Sequence, residues 1–231
     1  MADDRLARIL SGMAAKGGDR RSAIGLCEAS TDILGVSGAG VMLMSGDLPL
    51  GSLCATNAVS ALIEDLQYTM GEGPCVDAYQ HDQVVVEPDL AAPTVARWLA
   101  FTPRALQAGA RAMFGFPLRV GATRLGALNL YQDQPGLLSD DKFADALVVA
   151  DLIADWVLVT QASAPPGTLA KELESSANFH FVVHNAAGAV SVQLGISVAE
   201  AMLRLRAHAF GNERPLEDVA RDVMERRLRF Q

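Results

Sequence analysis

Residues 116–131 of the chain read FPLRVGATRLGALNLY, and this stretch decides the fold. Apolar side chains recur on both sides of Gly121–Ala122. Together with the residues just before it, the stretch predicts two strands, AMFGFPLRVG and TRLGALNLY, joined at that pair. Because helical patterns precede and follow the two strands, the sequence is typical of an α+β domain built on a mostly antiparallel sheet.

Helical patterns frame this hairpin. Residues 2–15 and 20–34 carry apolar residues at helical spacing, and a longer helix is predicted over residues 140–160. Ser139 is a good N-cap for the longer helix, because its hydroxyl can accept a hydrogen bond from an amide of the first turn. These helices would cover the sheet that contains the hairpin.

The clearest domain boundary is the segment QASAPPGT, residues 161–168. It combines small residues, two prolines and a glycine between two helical patterns. We therefore predict a first domain over residues 1–160, a linker over residues 161–168 and a helical second domain over residues 169–231.

Charge separates the two domains. The 231-residue chain has a net charge of −8, which argues against nonspecific nucleic-acid binding over its whole surface. Residues 185–231 nevertheless carry seven arginines against six acidic residues, so this segment is +1 and the rest of the chain is −9. A local site for an anionic partner remains open.

The sequence contains no apolar run of the roughly 18 to 20 residues that a membrane span needs. Its beginning, MADDRLARIL, has two acidic residues where a signal peptide would have basic ones. We therefore expect no membrane association and a cytoplasmic location.

The three cysteines, Cys27, Cys54 and Cys75, form no CxxC pair and are odd in number. This spacing argues against a disulfide framework and against a structural zinc site, and the four scattered histidines do not add a metal site. We expect the cysteines to be small buried hydrophobic residues.

The second domain contains three short helical patterns. Ser197 and Glu200 form a capping box at the start of the middle one, and Gly195 and Gly211 lie where helices end. The last helix is expected to carry an apolar stripe that reaches Phe230. Before these helices, the stretch from Leu169 to Val183 is predicted to form a coiled-coil helix that joins two chains in a homodimer.

Arginines of this domain fall into two groups. Arg204, Arg221, Arg226 and Arg229 each have an acidic residue four positions away, so ion pairing on a solvated face can explain them. Arg206 and Arg227 have no such partner, and Arg214 has Asp218 four positions away but stands before Pro215, where the last helix begins. These three arginines are the better candidates for contacts with phosphate groups. Ala187 and Gly188 are small enough to let a base or backbone approach the first helix, although tight helix packing explains them equally well.

Residues 1–160 resemble a GAF domain. The resemblance rests on the order of elements, the GEGP-C turn at Gly71–Cys75, the hairpin at residues 116–131 and the long helix after it. It implies a sensory fold with a six-stranded antiparallel sheet and a pocket near residues 89–111. The chain lacks the N-K-F-D-E pattern of cyclic-nucleotide-binding GAF domains, and His81 lies in a polar context unsuited to haem. We therefore predict no cofactor, and the signal, a small molecule or a protein, is not identified.

The second domain resembles an ANTAR domain, the three-helix RNA-binding module of bacterial antitermination regulators. The matching positions are, in order, Ala186 and Gly188; Ser197, Glu200 and Ala201; Leu205, Arg206 and Ala209; Arg214–Leu216; and Val219 with Ala220. The chain departs from the pattern at Ala187, where many members have a lysine.

A GAF domain followed by an ANTAR domain is a familiar pairing in actinobacterial regulators. The resemblance implies a protein that binds hairpin loops of nascent transcripts, stabilises an antiterminator hairpin and catalyses no reaction, so that neither catalytic nor metal-ligating residues are expected. The expected RNA-binding residues are Arg204, Arg206, Arg214, Arg227, Ala187 and Gly188.

Two alternatives remain open. In one, the helical domain binds a protein rather than RNA, and the chain is a dimerising sensor. In the other, the chain is a thiol reductase, since some GAF-fold proteins reduce free methionine sulfoxide with cysteines. Cys75 would then be the nucleophile and Cys54 its resolving partner.

Overall fold

The computed structural model describes residues 2–15, 22–46, 48–165, 168–176 and 178–231. Its centre is a six-stranded antiparallel sheet with the strand order β3-β4-β5-β1-β2-β6. The strands are β1 (Gly38–Ser45), β2 (Leu48–Ala55), β3 (Val85–Glu87), β4 (Ala112–Val120), β5 (Thr123–Gln132) and β6 (Asn178–Phe179). The predicted α+β fold with an antiparallel sheet is confirmed.

Helices cover both faces of the sheet and continue beyond it. They are α1 (Ala2–Ala15), α2 (Ala23–Leu34), α3 (Ala58–Met70), α4 (Pro74–His81), α5 (Phe101–Ala108), α6 (Asp140–Ala162), α7 (Lys171–Ser176), α8 (Phe181–Leu194), α9 (Val198–Gly211) and α10 (Leu216–Met224). Helices α1, α2, α6 and α7 form one core with the sheet, and α3, α4 and α5 form a second core on the opposite face.

The predicted hairpin is β4 and β5, and it lies inside the sheet. Phe114 pairs with Leu130 and Phe116 pairs with Leu128, and all four side chains are buried. Gly121 makes the turn with a φ of 59°, a left-handed conformation that glycine adopts without steric cost. Strand β5 then pairs with β1, which places this hairpin between the two helical layers.

Local capping explains where helices α3, α4 and α6 begin or end. Ser139 caps α6 by accepting a hydrogen bond from the amide of Lys142, as predicted. The GEGP turn separates two helices, because Gly71 ends α3 with a φ of 67° and Gly73 precedes α4 with a φ of 132°. Pro74 follows at the first position of α4, where a missing amide hydrogen costs nothing.

The predicted coiled-coil helix from Leu169 to Val183 is wrong. Helix α7 ends at Ser176, and the next described residues form the short strand β6, which pairs with β2 at Gly51 and Ser52. Serine and asparagine in the SSANF stretch are weak helix formers, and the free edge of β2 supplies hydrogen bonds that a helix would otherwise have to provide. The connector between α7 and α8 therefore contributes residues 178–179 to the sheet.

Helices α8, α9 and α10 pack against one another as a three-helix bundle. The predicted capping box is present, since Ser197 Oγ accepts from the Glu200 amide and the Glu200 carboxylate accepts from the Ser197 amide. The apolar core of this bundle is continuous with the α3–α5 side of the sheet.

The last helix is shorter than expected. It ends at Met224, and Arg226 has a left-handed φ of 60°. The ion pairs expected within a longer helix, which would have joined Arg226 and Arg229 to acidic residues one turn away, do not form. Arg221 pairs instead with Asp218, three residues earlier.

A disulfide links Cys27 on α2 to Cys54 on β2, contrary to expectation. The two residues are 27 positions apart in sequence but their Cα atoms are 6.4 Å apart, because α2 packs on β2. Spacing along the chain does not report this proximity. Cys75 is free and buried.

Among the described residues, no single helix is long and apolar enough to cross a membrane. Helices α8 and α9 reach the necessary length and composition only as a pair, joined across a bend of 107°.

Candidate functional site at the sensor–bundle junction

The junction between the sheet domain and the three-helix bundle is built around Tyr68, in the last turn of α3. Its ring stacks on His180 with 3.9 Å between centroids and 20° between planes. His184, one turn into α8, meets the same ring edge-on at 6.1 Å and contacts the Leu50 carbonyl oxygen through Nε2. The tyrosine therefore packs against both the connector and the first helix of the bundle.

His180 joins three elements. Its Nδ1 lies 2.8 Å from Glu217 Oε1 on α10, and its Nε2 lies 3.8 Å from Asp65 Oδ1 on α3. The imidazole is buried. The His180 ring therefore lies between two carboxylates, one on α3 and one on α10.

Arg206, on α9, caps the C-terminus of α3. Its Nη2 donates a hydrogen bond of 2.6 Å to the Tyr68 carbonyl oxygen, one of the carbonyls that the end of a helix leaves without an amide partner. An added Cβ at Gly71 would lie 2.5 Å from Arg206 Nη1, so glycine allows this approach. Burial lowers the pKa of Arg206 to about 10, and Nε has no hydrogen-bond partner among the described residues.

Among the described residues Arg206 thus has no carboxylate partner, as predicted, whereas the prediction that Arg214 and Arg227 are unpaired is wrong. Both bind Asp222, with N–O distances of 2.7 Å and 2.8 Å. These two arginines lower the pKa of the Asp222 carboxyl by donating hydrogen bonds to it. Spacing by four residues misses these pairs, since Arg214 precedes α10 and Arg227 follows it.

The other predicted site residues lie apart from these. Arg204 is exposed on α9, whereas Ala187 is buried in the core of the bundle, where tight packing explains its small size. Gly188 faces open space, with no atom within 4 Å of an added Cβ. The structure thus brings Arg214 and Arg227 together at Asp222 and places Arg206 at the junction, and the six residues do not form one surface.

Sequence reasoning missed a polar cluster inside the sheet domain. Glu64 on α3 accepts a hydrogen bond of 2.8 Å from Asn129 Nδ2 on β5, and Gln67 Oε1 accepts one from the Cys75 amide. Burial raises the pKa of Glu64 to about 8, despite the opposing effect of the Asn129 hydrogen bond. A lone glutamate in a helical pattern gives no sequence signal of this environment.

Two cavities adjoin the junction. A cavity of about 140 Å³ lies between β2 and α3 and reaches His180. A larger open cleft of about 1100 Å³ separates the end of α3 from the bundle, with Arg206, Leu203 and Phe210 on its bundle side.

The five arginines between residues 97 and 124 do not form an anion site. Arg97 contacts Asp77 and Glu87, Arg111 pairs with Asp89, and Arg119 pairs with Asp82. Arg124 donates to the Tyr79 and Gln80 carbonyl oxygens, and Arg104 lines the large cleft. The five guanidinium groups thus lie in separate places and do not converge on one site.

An antiparallel sheet with helices on both faces and a polar interior next to a cavity defines an α+β domain of the sensory, ligand-binding type. The chain belongs to the GAF-domain family, whose sequence profile matches residues 25–155. That match ends before β6 and the bundle.

Solved structures share this fold. The GAF domain of a phosphoenolpyruvate-protein phosphotransferase from Coxiella burnetii matches at a TM-score of 0.53 and 12% identity, over 69% of this chain and 94% of that one. The corresponding domain from Acinetobacter matches at a TM-score of 0.51 and 14% identity, with the same coverage of both chains. No curated protein shows significant sequence similarity to this chain.

Proposed function

We propose that the chain is a signal-responsive regulator whose helical bundle binds hairpin loops of nascent transcripts and promotes antitermination. The proposal is supported by the ordered family positions in residues 186–220 and by the three-helix bundle that contains them. Single-stranded loops present unstacked bases and phosphates, which arginine side chains can contact. The GAF domain supplies the signal-dependent part.

Exposed guanidinium groups on the bundle would carry the phosphate contacts. Arg214 and Arg227 are 40% and 58% exposed, and both can exchange Asp222 for an RNA phosphate. Arg204, Arg226 and Arg229 are exposed and form no ion pair with a described residue. Because Asp222 holds two arginines, RNA must compete with this carboxylate, which would favour ligands that engage both cations at once.

The observation that carries regulation is the contact between Arg206 and the Tyr68 carbonyl oxygen. Arg206 occupies the arginine position of the L-R-x-x-A match, and in this arrangement its guanidinium is committed to the sensor. RNA contact by Arg206 therefore requires the bundle to move away from α3. A sensor state that favours this movement would increase RNA affinity.

The test is fluorescence anisotropy of a labelled tandem-hairpin RNA with the full-length protein at several salt concentrations. About four phosphate contacts would give a log K versus log salt slope of about −2.8, taking ~0.7 per contact for single strands. Arg214→Ala/Arg227→Ala should weaken binding at least tenfold. Arg119→Ala, which removes an exposed sensor arginine, is the control. A slope near zero, or equal effects of both variants, would reject the proposal.

Protein binding by the bundle is the second candidate. Leu203 and Phe210 lie seven residues apart on the same face of α9 and are 63% and 67% exposed, so a protein partner could pack against them. Leu203→Ser/Phe210→Ser should leave RNA affinity unchanged if RNA is the partner. Loss of homodimerisation in this variant, measured by light scattering, would favour the second candidate.

We propose no catalytic role for the chain. Cys75 is buried, and burial raises the pKa of its thiol well above the ordinary value, which opposes formation of the reactive thiolate. Cys54, its expected resolving partner, is bonded to Cys27. Methionine sulfoxide reduction that disappears in Cys75→Ser would overturn this proposal.

A further inference from the structure

The larger cleft at the junction takes its walls from both the sheet domain and the bundle. It has a volume of about 1100 Å³. Pockets for small organic ligands measure roughly 300–1,000 Å³ and are mostly apolar, with a few polar groups that fix the ligand. The walls of this cleft have that composition, with apolar side chains such as Val183, Leu203 and Phe210 beside the cations Arg104, Arg206 and Arg214. The cleft is therefore large enough for a ligand with both a charged group and an apolar body.

Arg206 is a partly buried cation in this cleft, and it has no carboxylate partner among the described residues. Its contacts are with neutral groups of Tyr68. Nη2 donates a hydrogen bond to the carbonyl oxygen, and Cζ lies 6.0 Å from the centroid of the ring. Burial of a cation without a counter-ion is unfavourable, and it lowers the pKa of Arg206. An anion bound in the cleft would supply the missing opposite charge.

Carboxyl groups also line the cleft, but their contacts lie elsewhere. Glu72 accepts hydrogen bonds from two backbone amides at the start of α5. Asp65 and Glu217 both face the His180 ring. Glu213 is exposed, so that water screens its charge. None of these four acids forms an ion pair with an arginine of the cleft among the described residues, and the cations therefore remain open to an anionic ligand.

The cleft offers further positive charge from the sheet domain. Arg104 lies on α5, is exposed and forms no ion pair with a described residue. Helices α5 and α10 both begin at the cleft, where Ala100 and Pro215 are the N-cap residues. The N-terminus of a helix favours a negative charge, whereas the C-terminus of α3 is already capped by Arg206. Two cations and two positive helix ends thus face the same space.

We propose that this cleft binds an organic anion with an apolar body, whose acid group pairs with Arg206 and Arg104. Carboxylate and phosphate groups share the planar arrangement of acceptors that a guanidinium recognises. Leu203 and Phe210, which are 63% and 67% exposed, would cover the apolar body of the ligand. The inference goes beyond the proposed function, because it does not require that the bundle binds RNA.

The position of the cleft links ligand binding to the arrangement of the two domains. Arg104 belongs to the sheet domain and Arg206 to the bundle, so a molecule held by both contacts both domains at once. Such a ligand binds best when Arg206 lies against the end of α3, and it therefore stabilises that arrangement. It would oppose the proposed movement of the bundle away from α3.

Isothermal titration calorimetry of the whole chain with 2-naphthoate, 1-naphthyl phosphate and neutral 2-naphthamide tests the proposal. At least one anion should bind about tenfold more tightly than the amide, and the tighter anion identifies the acid group as carboxylate or phosphate. Arg104→Met and Arg206→Met should each weaken binding of that anion by about threefold or more. Arg119→Met, which removes an exposed arginine outside the cleft, is the matched control and should bind like the parent.

Each outcome decides the question. Failure of both anions to bind the parent protein overturns the proposal, as does an amide that binds as tightly as the anions. Equal anion affinity of the parent and Arg104→Met also overturns it, and this exposed substitution leaves the contact between Arg206 and Tyr68 in place. An equal loss in Arg119→Met would assign the effect to long-range charge rather than to the cleft and would reject the proposal. RNA affinity enters none of these measurements, so a failure here is distinguishable from a failure of the proposed RNA-binding function.

Discussion

Arg206 Nη2 lies 2.6 Å from the carbonyl oxygen of Tyr68, a residue 138 positions earlier in the chain. The carbonyl oxygens at the end of α3 lie at the negative end of the helix dipole. A guanidinium there donates a hydrogen bond to one of these oxygens and also interacts favourably with the dipole. This contact joins a side chain of the bundle to the backbone of α3. It therefore depends on where α3 ends and on how closely Arg206 can approach that end.

Removal of this guanidinium should destabilise the protein measurably. Arg206→Met keeps most of the aliphatic stem and loses the charge-assisted hydrogen bond, and we expect the free energy of unfolding to fall by about 1–2 kcal/mol. Arg221→Met removes an exposed ion pair with Asp218 and should change it by less than about 0.5 kcal/mol. Urea unfolding of both variants measures the difference, and equal effects would show that the Tyr68 contact contributes nothing.

Gly71→Ala should displace the Arg206 guanidinium from the end of α3 and weaken the contact between α3 and the bundle. The new methyl group would collide with Arg206 Nη1, and the left-handed φ adds about 1 kcal/mol of strain. Gly121→Ala has the same backbone strain but meets no atom within 4 Å. Hydrogen exchange should quicken at the amides of α8 and α9 in Gly71→Ala alone. The same exchange in both variants would show that strain, not the lost contact, is responsible.

Stability should depend on pH through Glu64. Its pKa is about 8 in the folded protein against 4.5 for the ordinary group, so between these values the folded state holds a proton that the unfolded state has lost. The resulting stabilisation is complete below about pH 4.5 and disappears as the pH rises to about 8. Glu64→Gln should remove this slope and exceed the parent in stability at pH 8 by at least about 1 kcal/mol. Urea unfolding at pH 5.5 and 8 tests the sign, and parallel curves would contradict it.

Thiol counting should reveal the disulfide. Protein purified without reductant and then denatured should expose one reactive thiol, that of Cys75, and three after reduction. Loss of a crosslink that closes a loop of this size should lower the free energy of unfolding by about 2–4 kcal/mol. Cys27→Ser should reproduce this loss without reductant. Three thiols before reduction would exclude the crosslink.

The hairpin, the helix caps and the capping box could be predicted from sequence because each depends on neighbouring residues. Ser197 and Glu200 are three positions apart, and the strands β4 and β5 are joined by one turn. The disulfide could not be predicted, since it depends on the packing of α2 against β2.

The ion pairs of Arg214 and Arg227 with Asp222 could not be predicted for a related reason. A spacing of four residues brings two charged side chains together only within a continuous helix. Helix α10 ends at Met224, before Arg226, Arg227 and Arg229. Arg227 therefore reaches back to Asp222, five residues away, from outside the helix. Arg206 contacts a carbonyl oxygen, which no charge pattern in the sequence reports.

Strand β6 has a consequence for how the chain would behave if the bundle moved as proposed. Two residues of the connector protect the outer edge of β2, whose backbone groups would otherwise be open to pairing with any extended segment. If the connector left the sheet together with the bundle, the backbone groups of this edge would be free to pair with another strand. Return of β6 to β2 and edge-to-edge association of two sheets would then compete for the same strand, so the proposed movement of the bundle would depend on protein concentration.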